Sequence, residues 1–202
     1  MATFATLTIY NKALVLCGAS PITGLSQDTA NARSLNAVVD EARQGFLTEC
    51  QWNFSVTRST LATISTSTIA WLHPEEGYAY TRPSTALRIW RMSEISAIWR
   101  EQSGIIIADC ANLGALWTYD QTEYGLWQPK AITAFIDKLC SDICFMILND
   151  ATKANAFLEK YEDVSLPNAM AENSQTGTQQ EVLDDAWLAA KLGGGRADRS
   201  YS

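Results

Sequence analysis

The residues best equipped for chemistry are few. His73 is the single histidine, and it stands before Pro74 in a segment that reads as a loop. A Ser–His–Asp or Cys–His site would have to use it, yet no serine or cysteine carries an activating signature. Cys140 and Cys144 have the i, i+4 spacing of two metal ligands on one helix face. They lie among Phe135, Ile136, Leu139, Ile143 and Ile147 with no second ligand pair, so they read as small core hydrophobes. Gly193-Gly194-Gly195 lacks the following Lys-Ser/Thr and the preceding strand of a phosphate-cradling loop, and reads as a hinge. Adjacent acids occur at Glu75-Glu76, Glu162-Asp163 and Asp184-Asp185. They read as solvated faces, because a glycosidase needs two carboxyls whose surroundings drive their pKa values apart. The expectation is no catalytic or metal-ligating residue and no cofactor.

A second group of charged residues has a different use. Arg82, Arg88, Arg91 and Arg100 gather in a strand-rich region against Glu94 and Glu101. Such arginines suit nucleic-acid phosphate or the carboxylates of a neighbouring subunit, and the overall acidity favours the carboxylates.

These residues must be positioned by the elements around them. Leu7, Tyr10, Leu14 and Cys17 recur at helical spacing, and Gly18 is a candidate C-cap. After the turn Ser20 to Gly24, Ser26 or Asp28 offers an N-cap for a second helix, whose apolar face runs from Ala32 to Leu47. Trp52 and Phe54 mark the place where helical spacing gives way to Thr-, Ser- and Val-rich sequence. From there to about Tyr124 the sequence predicts three to five short, mostly antiparallel strands. Pro129 opens the clearest helix, with apolar residues at i, i+3, i+4, i+7 from Ile132 to Ile147. Another helix follows from Ala154 to Val164, and Pro167 is expected to kink or end it. Residues 168–180 are polar, like a linker, and Val182 to Leu192 has the pattern of one short amphipathic helix.

The expected fold is α+β, mainly α. It is a long-helix bundle from 1–51 and 129–166, a β-rich domain inserted at 52–128, and an extended C-terminal segment and tail at 167–202.

Composition narrows the classes further. The chain has 202 residues, nearly half apolar, enough for a sizeable core. It contains no run of about 18 apolar residues, so no transmembrane helix is expected. Met1-Ala2-Thr3-Phe4 is a poor start for a signal peptide. Five scattered cysteines do not make a disulfide framework, which points to reduced thiols and the cytoplasm. The net charge is -7, against a general affinity for nucleic acid. Residues 1–130 carry 9 basic and 11 acidic side chains, whereas residues 131–202 carry 6 and 11, so the acidic excess is C-terminal.

Three stretches resemble the head-to-tail adaptor, or tail tubular protein A, of short-tailed bacteriophages. They are Asn11 to Ile22, a helix ending at Gly18-Ala19-Ser20-Pro21. The second is Asp28 to Arg33, with its helix running on into Trp52-Asn53-Phe54. The third is Tyr78-Ala79-Tyr80-Thr81-Arg82-Pro83 followed by Leu87-Arg88-Ile89. The likeness covers residues 5–165 in arrangement; the last forty residues match only as an extension.

The resemblance implies a structural virion protein that is not an enzyme. It implies a homo-oligomeric ring, typically of twelve copies, beneath the portal protein of the filled capsid. The ring would receive the tail nozzle or fibre proteins below and line the channel through which double-stranded DNA leaves, without a membrane partner. Its location would be the virion, at the head–tail interface, and the host cytoplasm during assembly. On that reading Arg82, Arg88, Arg91, Trp71 and Trp127 are candidate subunit-interface residues. Trp187, Leu188, Leu192, Arg196, Arg199 and Tyr201 are candidate portal-binding residues. Two alternatives stay open: a small soluble enzyme with a glycosidase-like carboxylate site, and a ring-forming tail-completion protein elsewhere in the tail.

Overall fold

The computed structural model describes residues 2–69, 71–73 and 76–176. Two helices come first, α1 (Ala2–Cys17) and α2 (Ala30–Glu49). Gly18 ends α1 at φ +90°, a left-handed conformation that glycine adopts without a Cβ penalty. Its neighbour Ala19 returns a backbone bond to Leu14, and the Lys153 ammonium donates to the Cys17 carbonyl at 2.7 Å. The N-cap of α2 is Thr29 rather than Ser26 or Asp28, its hydroxyl accepting from the Ala32 amide.

Seven strands follow among the described residues: β1 (Val56–Thr60), β2 (Thr63–Ile64), β3 (Tyr78–Thr81), β4 (Ala86–Met92), β5 (Trp99–Gln102), β6 (Ile105–Ala108) and β7 (Gly114–Tyr119). They form two antiparallel sheets, one ordered β1-β7-β4 and the other β2-β3-β6-β5. The sheets share a core of their own, in which Leu61, Tyr80, Met92, Ile106, Leu113 and Trp117 are buried. The chain then returns to helix as α3 (Pro129–Leu148) and α4 (Ala151–Lys160), divided by Asn149 in the left-handed conformation and capped by Asp150. A π-helical turn (Tyr161–Ser165) leads directly into α5 (Leu166–Gln175).

The expected long-helix bundle is overturned. Helix accounts for 49% of the described residues and strand for 19%, the strands lying in two antiparallel sheets. Gly18 and Asn149 stop α1 and α3 at 16 and 20 residues, and the helical run from Ala151 to Gln175 is interrupted by a π turn. The β region is larger than expected because several strands, such as Thr63–Ile64, are too short to show alternation in sequence.

Pro167 does not end its helix. A proline lacks the N–H for the i−4 carbonyl and its ring crowds that group. The preceding turn widens to π, with the Leu166 amide bonding to the Tyr161 carbonyl, and the helix continues. Residues 168–175, expected to be a linker, are therefore helical.

The helical core is aromatic at its centre. Trp52 is fully buried, stacked on Phe46 at 4.7 Å, with its indole N–H donating to the Phe46 carbonyl. Trp127 stacks on both Phe46 and Phe54. Trp52 and Phe54 thus join the end of α2 to the start of the β region.

Candidate interaction surface

Most charged residues inside the protein are tied down. The Arg43 side chain is buried, and its guanidinium grips Asp120 at 2.6 Å and Asp40 at 2.8 Å. The hydrogen bond from Arg43 holds the Asp120 carboxyl below the usual range, against a smaller desolvation effect. Asp137, 1% exposed, accepts from Lys160 at 2.8 Å and from the Ser165 hydroxyl. Tyr161 donates to Glu49. These contacts join α2 to the β7–α3 loop, α3 to α4 and the π turn, and α2 to the π turn. Buried charge here is paired, as its desolvation requires.

The cysteines belong to the core. Cys17, Cys140 and Cys144 are fully buried between α1 and α3. The Cys140 thiol donates to the Ala13 carbonyl, and burial pushes the Cys144 thiol up to about 12. His73 is exposed, and its backbone amide donates to Glu76. Glu76 in turn pairs with Arg100 at 2.8 Å. Glu162 and Asp163 lie exposed on the π turn. Among the described residues there is no group of three or more His, Cys, Asp or Glu placed to hold a metal ion. No helix among them is long and apolar enough to cross a membrane.

The arginines of the β region divide into two kinds. Arg82 pairs with Glu101 at 2.6 Å and donates to the Leu87 carbonyl, so it braces β3, β4 and β5. Arg88, Arg91 and Arg58 stand exposed on the β1-β7-β4 sheet, and none has an ion pair among the described residues. Arg58 was not singled out from the sequence, because only the register of β1 on β7 brings it alongside Leu116 and Arg91.

Of the tryptophans expected at an interface, Trp71 is 67% exposed. Trp127 is only 4% exposed, and its indole donates to the Gln121 carbonyl inside the helical core. It is a core residue, drawn inward by stacking on Phe46 and Phe54. Trp187, Leu188, Leu192, Arg196, Arg199 and Tyr201 lie outside the described residues.

Apolar side chains also reach the surface. Val15 and Leu16 of α1 and Phe145, Met146 and Leu148 of α3 are 40–58% exposed, at the ends where Cys17 meets Cys144. Ile95 and Ile98, between β4 and β5, are 97% and 63% exposed.

No family model matches the sequence, and no curated protein matches it.

Proposed function

We propose that this chain is a head-to-tail adaptor of a short-tailed phage, a structural subunit whose copies close into a ring beneath the portal. The observation that carries the reading is where the three resembling stretches fall: each is a joint of the fold. The Asn11 side chain both donates to and accepts from the backbone of Ile22, at 2.8 Å each, closing the first stretch into a loop. Trp52 and Phe54 splice the helices to the sheets. Arg82, just past the strand that ends at Thr81, ties it to Leu87 of the next. Residues with these roles preserve a scaffold, which is what a ring subunit needs.

Exposed arginines and apolar side chains supply contact surface for neighbouring copies, the portal, and nozzle or fibre proteins. The acidic excess in residues 131–202 suits a conduit wall that does not bind exiting DNA. Residues 182–202, which bear Trp187, Leu188, Leu192, Arg196, Arg199 and Tyr201, are proposed to dock on the portal by apolar anchors and arginine–carboxylate pairs.

Light scattering of the purified chain with and without portal rings tests the reading. A closed ring on the portal is the expected outcome, and a chain that stays monomeric beside the portal contradicts it. Deleting residues 182–202 is expected to leave the melting curve nearly unchanged while abolishing attachment. Undiminished attachment would move the docking surface to the helical body.

A further inference from the structure

The outer face of the β1-β7-β4 sheet carries charge that has no ion-pair partner among the described residues. Arg58 of β1 and Arg91 of β4 flank Leu116 of β7 in register. Arg88, further along β4, lies with its guanidinium 4.1 Å over the Trp90 ring. Arg58 and Arg91 border a cleft of about 650 Å³, whose wall includes Met92 and the outstanding Ile95. A cleft with a basic rim and apolar wall suits a partner that is both acidic and apolar.

The chain itself presents such a partner. Glu159 of α4 and Glu162 and Asp163 of the π turn are exposed, and none pairs with a cation among the described residues. Leu158, 39% exposed, and Val164, 51% exposed, stand among them. No acid of this strip meets Arg58 or Arg91 within one copy. Two complementary surfaces on separate elements of one chain make a heterologous contact, which propagates from copy to copy and closes when the rotation allows.

We propose that the Arg58–Arg91 cleft of one copy receives the acidic strip Glu159 to Asp163 of the next, with Ile95 packing against Leu158 and Val164. The inference rests on the ring reading above and names the contact between its subunits. Duplex DNA also offers negative charge, but its phosphate backbone gives Ile95, 97% exposed, nothing apolar to pack against. The acidic helix strip satisfies both halves of the cleft.

Charge reversal in pairs tests the contact. One variant carries Arg58→Glu and Arg91→Glu, the other Glu159→Lys, Glu162→Lys and Asp163→Lys. All five positions are exposed, and circular dichroism checks that each variant is folded. Self-association is followed by sedimentation velocity across protein concentration, at low and high salt. The parent should associate and weaken as salt rises. Each variant alone should associate at least about tenfold more weakly, because like charges then face each other. An equimolar mixture should recover association, since reversed and native faces alternate.

Arginine variants that associate as tightly as the parent overturn this contact and leave the ring reading standing. A parent that stays single at every concentration also overturns it, and the ring reading then stands or falls on the portal measurement. If the parent instead binds a short DNA duplex and the arginine variant loses that binding, the face is a nucleic-acid surface and the proposal is wrong.

Discussion

Asn53 and Asn173 hold each other by two hydrogen bonds, the Asn53 amide to the Asn173 side-chain oxygen at 2.9 Å and the Asn53 carboxamide to the Asn173 carbonyl at 2.8 Å. Asn173 also donates to the Gln51 carbonyl at 2.9 Å. The residue that begins the β region is thereby fastened to the last turns of α5. Asn173→Ala should cost about 1–3 kcal/mol, since it leaves polar groups of Gln51 and Asn53 without their partner. Urea unfolding measures this, and a variant as stable as the parent would mean that α5 is not anchored through Asn173.

Three tryptophans divide core from surface. Trp52→Ala and Trp127→Ala each remove a buried ring from the same stack and should cost about 3–5 kcal/mol. Trp71→Ala should change stability by no more than about 0.5 kcal/mol, because its side chain is largely solvated. Thermal melts of the three variants check the ordering. A Trp52→Ala protein that melts like its parent would remove Trp52 from the centre of the fold.

Acid should weaken the Arg43–Asp120 bridge. The folded carboxyl titrates below its unfolded value of about 3.9, so its contribution is complete above that pH and is lost as pH falls through the folded value. Asp120→Asn should flatten that part of the stability–pH curve without shifting the neutral plateau upward. Parent and variant curves of the same shape below pH 4 would show that the bridge does not contribute.

The buried thiols should be silent. Cys17, Cys140 and Cys144 are fully buried, whereas Cys50 and Cys110 are only half-buried. Labelling the native chain with an aromatic disulfide reagent should modify Cys50 and Cys110 alone, and denaturant should release all five thiols. Peptide mapping that finds Cys144 labelled in the native state would contradict the packing of α1 on α3.

The legible parts of the fold were those governed by local periodicity. The apolar spacing from Ile132 to Ile147, the proline at 129 and the glycine at 18 each report a choice made within a turn or two of helix. The sheets were harder to read, because β1 pairs with β7 nearly sixty residues away and β2 is too short to show a pattern. Long-range register also hid Arg58, which has no charged neighbour in sequence to draw attention to it. Trp127 was misplaced because a tryptophan beside a short 3-10 turn (Tyr124–Leu126) looks exposed until Phe46 and Phe54 close on it. Helix 166–175 is not legible because a proline inside a continuing helical pattern reads as a break, and a π turn upstream leaves no signature in composition.

The most direct measurement of the central claim is a cryo-electron microscopy reconstruction of a particle carrying this chain. The account predicts a closed ring of copies, coaxial with the portal and lying immediately beneath it, with the DNA channel passing through its centre. Density for the chain away from that axis, or as isolated copies that do not touch one another, would contradict it.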